Sequence, residues 1–270
     1  MIPEWKTNYL YFSELLPEKY PEIFSQIEKI LKKEKIKFDL LLNTKDIWCR
    51  DYMPVQINEN EFVQFEFNPD YLKYYEKLKT NPWLVTSLLK INCKKSEIIL
   101  DGGNIVYSTN FACVTDKIFS ENNKETNLLQ KLQEELQVEK VFVFPKQAYD
   151  IYGHIDSMVR FIDEKTILIN DFSYESRKFN KKLKETLEKV PFKICKIKLP
   201  FYNKFSWIYL NYIHVGKLII IPIIGIEQEE KIISQFKNFF PEHSIYTLNA
   251  NKLYKKGGAL HCISWNLLKS

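Results

Sequence analysis

Uncommon polar residues recur along this chain at a nearly constant interval. We call five of them the marker residues: Asp51, Asp101, His154, Asn211 and Cys262. The four intervals between consecutive markers are 50, 53, 57 and 51 residues. A constant interval of this size is typical of closed or stacked repeat architectures. We therefore expect five similar units, each of which places one marker residue at a common axis.

The predicted secondary structure repeats at the same interval. Hydrophobic periodicity predicts helices that start near residues 21, 69, 124, 178 and 228, with two strands after each marker and one more strand after each helix. Two apolar strands, 207–213 and 218–224, are predicted to form a hairpin. The pattern predicts an α/β fold of five ββαβ units in a ring, as one domain over residues 1–270. An ordinary αβ sandwich with coincidental spacing is the alternative.

Glycine is scarce, and its positions are informative. The chain has seven glycines, whereas ordinary usage of about 7% would give about nineteen. Five of the seven lie within five residues of Asp101, His154 or Cys262. A chain that avoids glycine keeps it where the backbone requires it. We therefore expect tight turns beside these three markers.

Charge and cysteine usage exclude several classes of protein. The net charge is only +5 and the lysines are scattered, which argues against nucleic acid as a partner. The five cysteines include no Cys-x-x-Cys pair, so neither a disulfide framework nor a zinc site is predicted. The N-terminal residues lack the apolar core of a signal peptide. The longest apolar run, 218–226, is too short for a membrane span of roughly 20 residues. We expect a cytoplasmic protein without a membrane partner, and a homodimer is left open.

The marker histidine has an acidic neighbour. If residues 154–156 form a strand, His154 and Asp156 point to the same side, as a proton carrier beside an anion. Such a pair is common, and alone it would more often be structural. Cys262 follows a Gly-Gly pair, which could present it to a cavity. On a strand its neighbour His261 would face away, so we expect His154 to be its partner.

A cysteine, a histidine and several carboxylates in one cavity restrict the substrate. Unpaired aspartates in a buried site repel one another and are costly. A bound cation removes that cost, and a guanidinium group offers forked donors that match carboxylates in pairs. Its central carbon is electrophilic, and its charge would favour the thiolate form of Cys262. The residues therefore indicate a guanidinium substrate. The other cysteines, Cys49, Cys93, Cys113 and Cys195, are interpreted as small buried hydrophobic residues.

Four short motifs, in this order, resemble those of the agmatine deiminase and bacterial-type peptidylarginine deiminase family. They are Trp48-Cys49-Arg50-Asp51, Asp101-Gly102-Gly103-Asn104, Gly153-His154-Ile155-Asp156 with Arg160-Phe161, and Gly257-Gly258-Ala259-Leu260-His261-Cys262. Each motif is weak alone, and the ordered set is specific. The resemblance implies the five-bladed αβ propeller of the guanidine-modifying (pentein) superfamily, which agrees with the five-unit prediction.

The resemblance also implies roles for individual residues. Cys262 would be the nucleophile, His154 the acid and base, and Asp51 and Asp156 the guanidinium clamps. Asp101 stands where the family usually has a glutamate, which makes its contact with His154 less secure. Neither a metal nor another cofactor is expected. Residues implied to contact the substrate are Trp48, Asn211, Asn104 and Arg160.

The identity of the guanidine is the least constrained part of the prediction. Free arginine needs a cation for its carboxylate, but the only arginines are Arg50, Arg160 and Arg177, and the sequence places no lysine at the cleft. We expect agmatine as the substrate, with peptidyl-arginine as the first alternative. An amidinotransferase, which passes the amidino group to an amine, and a non-catalytic binding module on the same fold are further alternatives. A binding module has no need for a cysteine, a histidine and paired aspartates together.

Overall fold

The structure of the protein is a computed structural model, and it describes residues 1–123, 125–200 and 206–269. The predicted helix start at Lys124 lies outside these residues. The strands are β1 (Tyr9–Ser13), β2 (Lys37–Leu41), β3 (Val55–Gln56), β4 (Phe62–Glu66), β5 (Cys93–Ile99), β6 (Val106–Tyr107), β7 (Phe111–Thr115), β8 (Lys140–Phe144), β9 (Val159–Asp163), β10 (Thr166–Ile169), β11 (Lys193–Lys196), β12 (Ile213–Val215), β13 (Leu218–Ile223), β14 (Ser244–Asn249) and β15 (Trp265–Leu267).

The α-helices lie between these strands. They are α1 (Leu15–Lys19), α2 (Pro21–Lys33), α3 (Cys49–Tyr52), α4 (Pro82–Leu88), α5 (Lys117–Glu121), α6 (Leu128–Leu136), α7 (Arg177–Leu187), α8 (Glu229–Phe239) and α9 (Asn251–Tyr254). Short 3-10 turns occur at Glu4–Lys6, Asp70–Leu72, Glu76–Leu78, Gly102–Asn104, Ile155–Ser157 and Ser206–Leu210. Among the described residues, no helix combines the length and the apolar character that crossing a bilayer requires.

The strands repeat one arrangement. Over the described ranges they form five sheets of three strands, in the orders β15-β1-β2, β3-β4-β5, β6-β7-β8, β9-β10-β11 and β12-β13-β14. In every sheet the first two strands are antiparallel, and the second and third are parallel. A helical crossover joins each parallel pair, because parallel neighbours cannot be linked by a tight turn. The prediction of five ββαβ units is thus confirmed.

The sheet β15-β1-β2 combines strands from opposite ends of the chain. Tyr9 of β1 pairs with Leu267 of β15 in antiparallel register. The remaining strand of this sheet, β2, follows after α1 and α2. The unit with the sheet β15-β1-β2 therefore forms only when these two parts of the chain meet. Their contact places the turn before β15 beside α3, which precedes β3.

Each unit is held together by the apolar face of its helix. In α2, Ile23, Ile27 and Leu31 recur every four residues and are buried, and Pro21 occupies the first turn, where no donor is lost. Strand β13 is buried over nearly its whole length, since it is covered on both faces. Burial of each such side chain contributes about 1.5–3 kcal/mol.

A short turn precedes the first strand of every unit. We call these turns, each with the marker residue that it contains or adjoins, the marker segments. They are α3, the 3-10 turns Gly102–Asn104, Ile155–Ser157 and Ser206–Leu210, and the turn at 260–263. Of the predicted strand 207–213 only Ile213 lies in a strand, β12, because an apolar run has the same appearance in a buried 3-10 turn and in a strand. The strand that would contain both His154 and Asp156 is likewise a turn, and Cys262 lies on a turn and not on a strand.

Candidate active site

The five marker segments contact one another in a circle. The backbone N–H of Gly103 donates to Oδ1 of Asp51 at 2.9 Å, and the next contact around the circle joins Asp101 to His154. Asn211 donates through Nδ2 both to Asp156 and to Cys262. The backbone N–H of Arg50 donates to the carbonyl of Cys262 and completes the circle. All five marker residues therefore lie around one axis, as the spacing predicts.

Cys262 is packed against an amide and a carboxylate. Its Sγ lies 3.2 Å from Nδ2 of Asn211 and 3.6 Å from Oδ2 of Asp156, and only 7% of the residue is exposed. Burial raises the pKa of the thiol well above its ordinary value, and the charges of Asp156 and Asp51 add to this effect. A positive charge placed between the two carboxylates would oppose both of these charges and favour the thiolate.

His154 lies between two carboxylates. Its Nε2 is 3.1 Å from Oδ2 of Asp101, and its Nδ1 is 3.7 Å from Oδ1 of Asp51. Burial opposes a charge on the imidazole, but the charge of Asp51 and the hydrogen bond with Asp101 outweigh burial and raise the pKa of His154 to about 9. The ring therefore carries a proton at neutral pH and can act as an acid. The contact between Asp101 and His154 is present, although the side chain of Asp101 is shorter than the glutamate that the family usually has there.

The pKa of the buried Asp51 carboxyl is raised. Burial and the repulsion of Asp101 and Asp156 raise the pKa of Asp51 to about 7, although the charge of His154 acts in the opposite direction. The turn that holds it requires a glycine. A Cβ at Gly103 would lie 2.4 Å from Nδ1 of His154 and 2.7 Å from Oδ1 of Asp51. Any larger residue at position 103 would push these two groups apart.

Asp156 has a partner that the sequence did not predict. Its Oδ2 lies 2.7 Å from Nδ1 of His261, whose Nε2 is 2.9 Å from Oε1 of Glu4. A doubly protonated imidazole would donate to both carboxylates, whereas burial and the charges of Arg160 and Arg50 lower the pKa of His261. Burial opposes ionisation of Asp156, but the hydrogen bond and charge of His261 outweigh it and hold the pKa of Asp156 below its ordinary value. The sequence did not predict this contact, because residues 261 and 262 belong to a turn and not to the strand that was expected there.

Two adjoining cavities reach the cysteine. The first, of about 310 Å³, is lined by Asp156, Asn211 and Trp207, among others. The second, of about 320 Å³, is lined by Asp51 and Trp48, among others. Cys262, His154, Tyr152, Ile151 and Gly257 line both cavities. A group that touches Cys262 can therefore have Asp156 on one side and Asp51 on the other.

Two residues implied to contact substrate line neither of these cavities. The side-chain oxygen of Asn104 accepts from the backbone N–H of Thr115. Arg160 is buried, donates to the carbonyls of Leu210 and Tyr212, and forms an ion pair with Glu4. Both side chains hold marker segments in position. In this geometry neither would contact a substrate bound in the two cavities.

The structure also reveals three residues near the site that the sequence did not single out. Glu4 lies behind His261, and Lys117 lies behind Asp101. Lys256 lines the second cavity, a position that the sequence alone did not indicate for any lysine. These three residues lie outside the four motifs, so the sequence carried no local signal for them. His261, in contrast, lies within the Gly-Gly motif. Among the described residues, no three His, Cys, Asp or Glu side chains are grouped as ligands of a metal ion.

Five αβ units around an axis that carries a cysteine, a histidine and paired carboxylates define the class as a pentein, the five-bladed αβ propeller of the guanidine-modifying enzymes. The model of the Porphyromonas-type peptidyl-arginine deiminase family matches residues 18–267, and the chain belongs to this family. Its members are hydrolases that act on C–N bonds. The family resemblance inferred from the motifs is thereby confirmed.

Individual relatives agree with this assignment. A Mycoplasma mycoides protein, provisionally named an agmatine deiminase, is 23% identical over 278 residues, covering 83% of this chain and 75% of its own. A variant of the C. jejuni agmatine deiminase, solved with substrate bound, superimposes with a TM-score of 0.79 at 20% identity, covering 100% of this chain and 96% of its own. The Enterococcus faecalis agmatine deiminase gives 0.76 at 16% identity, with coverage of 99% and 95%. At these identities the two structures show the fold.

Proposed function

We propose that the protein is a guanidine deiminase that hydrolyses agmatine to N-carbamoylputrescine and ammonia. The observation that carries the proposal is the joint lining of the two cavities. Cys262 and His154 line both, while Asp156 and Asp51 lie on opposite sides. A planar guanidinium between the carboxylates would present its carbon to the sulfur of Cys262. The relatives named as agmatine deiminases support this choice.

The reaction follows from these positions. The thiolate of Cys262 attacks the guanidinium carbon, and His154 gives its proton to the departing ammonia. The C–S bond of a thiouronium replaces the C–N bond that breaks. His154, now neutral, takes a proton from water, which attacks the same carbon and expels the thiolate. The product is a urea, the second proton of the water leaves with the released ammonia as ammonium, and His154 is protonated again for the next cycle. Asp51 and Asp156 hold the positive charge throughout.

The far end of the substrate is where agmatine differs from arginine. Asp150, Gln147 and Tyr254 line the first cavity, which has no lysine or arginine among its described lining residues. A terminal ammonium can pair there with the carboxylate of Asp150, whereas an α-carboxylate would be repelled. Lys256 offers the opposite charge in the second cavity. The first cavity therefore favours agmatine.

One observation favours peptidyl-arginine as a second candidate. The second cavity is bordered by large apolar side chains that are well exposed: Tyr75 at 60%, Leu78 at 43% and Ile151 at 70%. Exposed apolar groups at the mouth of a cavity are typical of surfaces that bind a larger partner. A polypeptide that presents an arginine could cover them.

Comparison of three substrates separates these candidates. We expect agmatine to give a kcat/KM at least about tenfold above that of a blocked arginine amide, a difference of about 1.4 kcal/mol in transition-state binding. Free arginine should be poorer than agmatine. Ammonia release measured on the same enzyme preparation provides the comparison. A tenfold preference for the blocked amide would select the peptidyl substrate, and no turnover of any guanidine by folded protein would reject the deiminase proposal.

The titration of two site residues predicts the pH profile. Asp51 must be ionised to hold a guanidinium, so activity should rise as the pH passes its pKa of about 7. His154 must be protonated to serve as the acid, so activity should fall as the pH passes its pKa of about 9. We expect a bell-shaped plot of kcat/KM with its maximum between these values. A profile that stays flat across both values would contradict these roles.

A further inference from the structure

Lys117, at the start of α5, is almost fully buried behind the histidine. Its side chain is 1% exposed, and its Nζ lies 3.0 Å from Asp101, 3.0 Å from Glu121 and 3.6 Å from Asp70. Lysine is almost never buried to this degree unless it is paired. Tyr71 covers the ammonium at 4.9 Å from its ring centre. Lys117 lines neither of the two main cavities, so it does not touch a substrate that lies there.

The lysine and the histidine share one oxygen atom. Oδ2 of Asp101 lies 3.0 Å from Nζ of Lys117 and 3.1 Å from Nε2 of His154. Oδ1 of Asp101 has no hydrogen-bond partner among the described residues. The orientation of this carboxylate is therefore set by the two cationic groups alone. Without Lys117, the imidazole would be the only donor to a carboxylate that is 0% exposed.

The same lysine also supports the turn before His154. Gly153 has a φ of +64°, and a Cβ there would lie 3.3 Å from Cδ of Lys117. Thr115 donates its hydroxyl to the carbonyl of Gly153. The aliphatic part of Lys117 thus packs against the backbone that carries His154, while its ammonium holds Asp101. One side chain acts on both the position and the electrostatic environment of the histidine.

We propose that Lys117 is a positioning residue for the deiminase reaction, which directs the carboxylate of Asp101 at Nε2 of His154 and, as a second positive charge behind that carboxylate, favours release of the proton from His154. The proposal rests on the proposed function, because it assumes that His154 is the acid and base. Burial opposes the charge of Lys117, but Asp101 and Glu121 outweigh burial and raise its pKa above the ordinary value. Burial also opposes ionisation of Asp101, and the contacts with His154 and Lys117 nevertheless lower its pKa.

The charges around both groups determine the sign of the expected effect. The titratable groups around His154 are Asp51, Asp101, Asp156, Lys117, Tyr71, Tyr152 and Cys262. Around Lys117 they are Asp70, Asp101, Glu121, Tyr71 and His154. The positive charge of Lys117 lowers the pKa of His154. Its removal should therefore raise that pKa, so the histidine would release its proton at higher pH.

The test replaces Lys117 by methionine, which keeps much of the side-chain volume and removes the charge. We expect kcat for agmatine to fall at least about tenfold and KM to change less than about threefold, because the residue does not touch substrate. The alkaline limb of the pH profile should move to higher pH. Lys117→Arg keeps a positive charge and should leave the limb near its wild-type position. Lys184→Met is the matched control, since Lys184 is 78% exposed on α7.

A second measurement makes the outcome independent of turnover. The pKa of His154 can be followed by NMR of labelled imidazole rings, since the chain has four histidines. A folded Lys117→Met protein in which the pKa of His154 and the alkaline limb both stay at wild-type values would overturn the proposal. If wild-type protein turns over no guanidine, a raised pKa in the variant still supports the link to His154, although the proposed function fails.

The folding of the variants separates a positioning role of Lys117 from a purely structural one. Lys117→Met leaves Asp101 and Glu121 buried without their cation, and the double variant Lys117→Met/Glu121→Gln removes one of these charges. The double variant is judged by the same shift in the pKa of His154. If neither protein folds, Lys117 is a structural residue and the proposal is rejected.

Discussion

Replacement of Cys262 by serine should lower kcat/KM for agmatine by about 10⁴-fold or more, in line with the loss of a catalytic nucleophile in other enzymes. The hydroxyl can keep the contacts of the thiol with Asn211 and Asp156, so the fold should be retained. It cannot replace the thiolate, because a serine hydroxyl remains protonated in this site and is a weaker nucleophile. Ammonia release under conditions of excess enzyme gives the measurement.

Cys195 provides the matched control. It lies on β11, is only partly buried, packs against an apolar cluster and lines neither of the two cavities. Cys195→Ser should keep kcat/KM within about threefold of wild type, which is less than 1 kcal/mol in transition-state free energy. The role of Cys262 would be refuted by a folded Cys262→Ser protein that retains more than a few per cent of activity.

Replacement of Asp156 by asparagine should change two rates in opposite directions. Turnover of agmatine should fall by about 10³-fold, because two charge-assisted hydrogen bonds to the guanidinium are lost at about 2 kcal/mol each. Alkylation of Cys262 by iodoacetamide at neutral pH should become faster. The charge of Asp156 raises the pKa of the thiol, so its removal increases the thiolate fraction.

The opposed changes separate a clamp from a residue that only maintains the fold. General disruption would lower turnover and would expose every cysteine to alkylation together. Asp163→Asn is the matched control, since Asp163 lies exposed at the end of β9 and accepts from the backbone of Lys165. It should leave both rates unchanged. Slower alkylation of Cys262 in Asp156→Asn would contradict the electrostatic account.

Asp156 illustrates why a carboxylate of the site cannot be understood from its motif alone. The carboxylate is held by His261, and His261 is held by Glu4, a residue 257 positions earlier in the chain. Glu4 also pairs with Arg160 and Arg50. Burial opposes its charge, yet Arg160 and His261 hold the pKa of Glu4 well below its ordinary value. An ionised carboxylate behind the site therefore supports the pair His261 and Asp156.

The sequence by itself determined the repeat and the turns. The marker intervals predicted five units, and the apolar faces of segments such as α2 predicted the helices, because both are local patterns that survive in any tertiary context. Glycine at 102, 103, 153, 257 and 258 correctly indicated tight turns beside the markers, since only a residue without a side chain fits there. The order of the motifs then predicted the family.

Only the tertiary structure decided which charged groups face one another. His261 faces Asp156 because a turn and not a strand presents it, and Lys117 faces Asp101 from the start of α5. The same geometry engages Asn104 and Arg160 in holding the backbone. Periodicity reports whether a side chain is buried, but it carries no information on the partner that neutralises a buried charge. That partner comes from a distant part of the chain, and its position is set when the five units pack around their axis.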